Sequence, residues 1–110
     1  NYDLLLMVNY LMQPSVFLSR KACKKYGLFT GKKNVMEYDL WLKLGKKEMP
    51  KVIDNYLSSF RLYKDSISMR EFKKTLWEDE RIVRKYTDNP VLIGLHWLHN
   101  LARVIIANIW

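Results

Sequence analysis

Apolar residues recur at helical spacing along most of the chain, with two stretches that read as extended. Leu4, Val8 and Leu11, widened by Leu5, Met7 and Met12, predict a helix over 3–12. Pro14 ends it, because the residue before proline avoids the helical region. Residues 15–19 (Ser-Val-Phe-Leu-Ser) read as a short strand. A basic helix over 20–26 follows, with Ala22, Cys23 and Tyr26 inward and Gly27 as its stop. Residues 28–35 form a loop carrying Gly31 and the Lys32–Lys33 pair. Met36, Leu40, Trp41 and Leu44 make one stripe of a helix over 36–47. Residues 51–63 are β-branched and aromatic, as in a strand or hairpin arm, and Lys64-Asp65-Ser66 turns the chain. Ser68 and Glu71 have capping-box spacing ahead of a helix that runs to Tyr86. Asp88-Asn89-Pro90 breaks it and opens a last helix over 91–110. That helix is apolar on most sides, and its polar residues His96, His99, Asn100 and Arg103 share one stripe, read as solvated.

Composition narrows the class. The 110 residues suffice for one small domain, and 49% hydrophobic with 27% charged is globular. The lone cysteine, Cys23, excludes an internal disulfide and fits a reducing compartment; it reads as a core residue. The formal charge is +8, and residues 20–51 hold ten Lys/Arg against three acids, +7 of that total. Such a patch favours phosphates, nucleic acid or an anionic membrane. Leu4 to Ser19 is the longest uncharged run and is too short to span a bilayer, and Arg103 interrupts the C-terminal apolar segment. His96 and His99 have metal-ligand spacing but no third ligand nearby, and four scattered glycines make no phosphate loop. The chain starts at Asn1, which leads us to expect a piece of a longer protein.

Several motifs keep a familiar order. Gln13-Pro14-Ser15-x-Phe17-x-x-Arg20, Tyr26-Gly27-Leu28-Phe29, Glu37-Tyr38-Asp39-Leu40-Trp41-Leu42-Lys43-Leu44 and Phe60-Arg61-Leu62-Tyr63-Lys64-Asp65-Ser66 follow one another. Over residues 5–86 this succession resembles the C-terminal, acceptor-side half of family 2 glycosyltransferases. The resemblance implies an inverting enzyme of GT-A fold, moving a sugar from a nucleotide-diphospho-sugar to a glycan or lipid-linked acceptor. It implies an α+β, helix-rich chain with a few short strands and about five helices. Residues 1–89 would be the acceptor-side half, and 90–110 a packing or membrane-proximal helix.

In that family an aspartate ahead of the Leu-Trp pair commonly serves as general base. Glu37 occupies the matching position, with Met36 replacing the preceding acid. A base must reach the acceptor hydroxyl as it attacks the anomeric carbon. Gln13, Ser15 and Arg20 match the acceptor side of the cleft, and Arg61 matches a residue near the diphosphate. Tyr63 stands where the family has a histidine. Asp39 is included with the acceptor and phosphate contacts, but its simpler reading is an ion pair with Lys43 one turn on. The family's donor-binding half and its Asp-x-Asp metal motif have no counterpart here. The expected Mg or Mn ion therefore belongs to a full-length enzyme, and the fragment alone is expected to bind no metal and to be inactive. Cytoplasmic placement, at the inner face of the membrane, is expected, with peripheral membrane contact and self-association through exposed apolar surface as further expectations. No nucleic-acid partner is expected on this reading. Two competitors remain: a basic helical module gripping nucleic acid through residues 20–51, and a non-catalytic membrane-docking or scaffolding module worked by the last helix.

Overall fold

The structure, a computed structural model, describes residues 1–29, 35–61, 63 and 65–109. Gly31, Lys32, Lys33, Leu62, Lys64 and Trp110, which figured in the predicted loop, arm, turn and last helix, lie outside the described residues. Among the described residues six α-helices follow in order: α1 (Tyr2–Met7), α2 (Arg20–Tyr26), α3 (Met36–Gly45), α4 (Ile67–Arg70), α5 (Phe72–Tyr86) and α6 (Pro90–Ile109). A single 3₁₀ turn, Gln13–Ser15, lies between α1 and α2.

Helix α3 is the centre of the fold. Tyr38, Leu40, Trp41 and Leu42 are buried along it, and Val35 is buried at its start. They form one core with Leu5 and Leu6 of α1 and Ile82 and Val83 of α5. Burying a side chain such as Leu42 contributes about 1.5–3 kcal/mol. Helix α3 packs on α1 and α5, and α6 packs on α1 and α5. Gly45 lets α1 approach: a Cβ there would meet Leu5 Cδ2, Tyr2 Cδ2 and Met49 Sδ, each at 3.3 Å.

Local chemistry sets the helix ends. The Asn1 side chain accepts from the Asp3 and Leu4 amides, and Ser19 Oγ accepts from the Ala22 amide. Gly27, at φ 77°, closes α2 in a conformation that disfavours a side chain, as its position in the sequence predicts.

The structure corrects the expected fold class. Among the described residues there is no strand, so the chain is not α+β and carries no GT-A sheet. Both predicted strands fail for want of a partner. Residues 16–18 and 51–61 have no regular secondary structure and belong to no ladder, and the direct side-chain tie between the two regions is Ser15 Oγ to Ser58 Oγ at 2.7 Å. Residues 51–60 are exposed throughout, with Val52 at 91%, so their β-branched content has no sheet to join.

Four helix predictions also shift. The first helix stops at Met7 rather than Met12. Its last carbonyls are taken from outside: Tyr38 Oη donates to Leu5 O (2.8 Å) and Leu6 O (3.3 Å), and His96 Nδ1 meets Met7 O at 3.2 Å. A longer helix would need those oxygens for its own amides. The predicted Ser68 cap is displaced to Ser66, whose Oγ accepts from the Met69 amide (3.3 Å). The predicted single helix is interrupted at Glu71, which leaves helical geometry (φ −99°, ψ 11°) between α4 and α5. Finally, the polar stripe of α6 is not solvated: His96 and Asn100 are buried against α1 and α5.

Candidate functional site

Glu37 sits in the first turn of α3, half-buried, two residues after Val35. Val35 has no side chain able to cap the helix, so the amides of this turn meet no side-chain acceptor from it. An anion there is favoured by the helix dipole. The packed residues on either side fix the backbone beneath Glu37: Val35 is 2% and Tyr38 1% exposed. The result is a carboxylate at the edge of the core on a rigid support.

Asp39 lies two residues on and turns about 200° away around the helix. It is buried and structural. Tyr86 Oη donates to Asp39 Oδ1 (2.8 Å) and to its backbone oxygen (3.1 Å). Lys85 Nζ stands 3.9 Å from the same carboxylate. Burial and the bond to Asp39 push the Tyr86 hydroxyl well above its usual range, so it stays a donor. The expected partner, Lys43, is engaged elsewhere: its Nζ donates to Leu28 O at 3.0 Å. Asp39 thus locks α3 to α5, a contact between distant helices that i, i+4 spacing could not reveal.

The other predicted residues are spread over the surface. Gln13 and Ser15 lie in the exposed 3₁₀ turn, and Ser15 is tied to Ser58. Arg20 opens α2 and shares a shallow open depression with Lys21, Lys24 and Lys25. Arg61 and Tyr63 are exposed in the extended segment. Among the described residues, no hydrogen bond or ion pair joins Glu37 to Gln13, Ser15, Arg20, Arg61 or Tyr63. Nor do the described residues contain a group of three or more His, Cys, Asp or Glu side chains able to hold a metal.

A second polar cluster escaped the sequence reading. His96 is 1% exposed, and its ring stacks on Tyr38 at 6.0 Å with 12° between planes. Met7 O can only accept, so His96 Nδ1 carries the proton and donates to it. Nε2 is then free to accept from Asn100 Nδ2 at 2.9 Å, and the second amide hydrogen of Asn100 goes to Leu76 O at 3.3 Å. Burial lowers the His96 pKa to about 4, against the opposing backbone bonds; His99 and Arg103 lower it further. The ring is neutral at neutral pH. Its approach to Glu80 Oε2 (3.8 Å) is therefore not an ion pair, and Glu80 Oε1 is held instead by Arg84 at 3.2 Å. Asp79, 3% exposed, is pushed up to about 7 by burial, with Glu78 and Glu37 adding to the rise and Arg103 opposing it.

His96 and Asn100 were legible as one stripe of α6, but not the direction in which the stripe points. The apolar residues on the opposite side of the helix made burial of that side the simpler expectation. The His96–His99 pair holds no arrangement for a metal: Nδ1 and Nε2 of His96 are both taken. Comparison of the chain with protein-family models, with curated proteins and with solved structures finds no match.

Proposed function

We propose that this chain is the acceptor-side part of an inverting glycosyltransferase, with Glu37 as the general base. The observation that carries the reading is the division of labour in α3. Of its two first-turn acids, Asp39 is buried and consumed by Tyr86 and Lys85, while Glu37 is half-buried and has no such partner among the described residues. The motif order from Gln13 to Ser66 supplies the reaction class, by resemblance. Glu37 would take the proton of an acceptor hydroxyl on a glycan or lipid-linked saccharide as that oxygen attacks the anomeric carbon. The leaving nucleoside diphosphate would draw on cations such as Arg61 or Arg20. The donor and its Mg or Mn ion would be held by a part of the protein beyond these residues. The single cysteine favours the cytoplasm as the site of action.

The test is transfer by the full-length polypeptide. Glu37→Gln should abolish sugar transfer while leaving nucleotide-sugar binding by calorimetry unchanged; retained turnover rules the base assignment out. The nucleic-acid reading has one observation in its favour, the exposed row Arg20, Lys21, Lys24 and Lys25 on α2. The second half of a helix–turn–helix reader should present polar residues, whereas Leu40, Trp41 and Leu42 of α3 are in the core. Duplex affinity falling steeply with salt and exceeding that for any saccharide would favour it instead.

A further inference from the structure

Helix α6 is built inside out. Beyond its first turn, where Leu92 and Ile93 pack on the core, its inward side carries His96, Asn100 and the half-buried Arg103, whose guanidinium lies 5.1 Å over the Phe72 ring. Its outward side carries Val91, Leu95, Leu98, Leu101, Ile105 and Ile109, all exposed. In a helix packed only to fill a core these two sides would be exchanged. The helix is 20 residues long, apolar enough to cross a bilayer by composition, and only 11% of its apolar window is buried.

The neighbouring face of α5 is cationic. Lys73, Lys74, Trp77, Arg81 and Arg84 are spaced to share one side of that helix, and all are exposed. Glu80, beside this row, is buried and already holds Arg84. The row and the apolar side of α6 meet at a cleft of about 160 Å³, where Trp77 and Lys73 of α5 face Trp97, Leu101 and Val104 of α6. Tryptophan at the border between an apolar surface and a line of cations is the arrangement of a water–lipid boundary.

We propose that α6 lies flat in the surface of an anionic bilayer, its apolar side among the acyl chains and the α5 cation row on the lipid phosphates. Its length would also allow it to span, but the bonds from His96 to Met7 O and from Asn100 to Leu76 O hold its inner side against α1 and α5. A spanning helix would have to break these and strand the polar groups in lipid. A second copy of the chain is the weaker occupant, because pairing through α6 would bring two cation rows together. The proposal rests on α5 and α6 and is independent of the role of Glu37.

The test is flotation of the chain with vesicles of phosphatidylcholine alone and of phosphatidylcholine containing phosphatidylglycerol. Binding should require the anionic lipid and fall with salt. Lys73→Glu with Arg81→Glu should weaken it at least about tenfold. Leu98→Glu, on the exposed side, should abolish it while far-UV circular dichroism stays unchanged. Equal binding to neutral vesicles, or binding that survives Leu98→Glu, overturns the proposal. So does a chain that ignores both vesicles but forms a dimer by sedimentation, broken by Leu98→Glu: that result assigns the face to a second copy.

Discussion

Helices α3 and α6 are both apolar in composition, yet they bury opposite sides of themselves. Helix α3 puts Tyr38, Leu40, Trp41 and Leu42 into the core and keeps Glu37 at its edge. Helix α6 puts His96 and Asn100 against the protein and leaves Leu98, Ile105 and Ile109 outside. The difference teaches what is needed to hold a helix by its polar side. His96 Nδ1 bonds Met7 O, and Asn100 Nδ2 bonds Leu76 O and His96 Nε2, while Asn100 Oδ1 has no partner among the described residues. A helix held in this way can leave its apolar side uncovered, whereas α3 has no spare side.

The largest expected effects separate the two helices by truncation. Leu42→Ala removes a fully buried side chain and should cost about 2–5 kcal/mol in urea unfolding. Leu98→Ala and Ile105→Ala, on the outer side of α6, should stay within about 0.5 kcal/mol. A comparable loss at Leu98 would mean that the outer side is covered within the chain.

Nearly as large, and more specific, is a pair of opposed pH dependences. Asp79 rises from 3.8 unfolded to about 7 folded, so the stability it contributes is complete below about pH 4 and is lost as pH rises through 7. His96 falls from 6.5 to about 4, so its contribution is complete above pH 6.5 and is lost as pH falls through 4. The two slopes oppose each other between about pH 4 and 6.5. The wild-type chain should therefore show a shallow profile there and lose stability from about pH 6.5 to 7. Asp79→Asn should uncover a steep loss toward acid, and His96→Gln a steep loss toward neutral pH. Melting temperatures across that range check both; parallel slopes in the two variants would break the assignment.

A smaller effect tests the lock on α3. Tyr86→Phe deletes the hydroxyl that donates to Asp39 and should cost about 1 kcal/mol, measured by the urea midpoint. Glu37→Gln should move that midpoint less, by at most about 0.3–1 kcal/mol, because it removes only the charge in the first turn of α3.

The sequence told most about α2 and α3 and least about the extended regions. Gly27 and the Met36–Leu44 stripe act through neighbours in the chain, so their helices could be read directly, whereas the Ser19 cap was hidden because residues 15–19 read as a strand. The 51–61 segment has strand-forming residues but no strand to pair with, and a partner at long range leaves no local trace. Likewise the first helix looked longer because Leu11 and Met12 continue its pattern, while the bonds that end it come from Tyr38 and His96, more than thirty residues away. In the candidate site, the separation of Glu37 from Asp39 followed from helical geometry. That Asp39 would meet Tyr86 and Lys85 rather than Lys43 did not, because it depends on how α5 crosses α3.

If α3 divides its two acids between chemistry and structure, turnover per folded molecule separates them. Sugar transfer by the full-length polypeptide should be measured for Glu37→Gln and Asp39→Asn, each corrected for the folded fraction. Glu37→Gln should lose about 10²–10⁴-fold in turnover with at most a small change in melting temperature. Asp39→Asn should show a lowered melting temperature with near-normal turnover per folded molecule. Full turnover in Glu37→Gln, or the loss appearing in Asp39→Asn instead, would contradict that division.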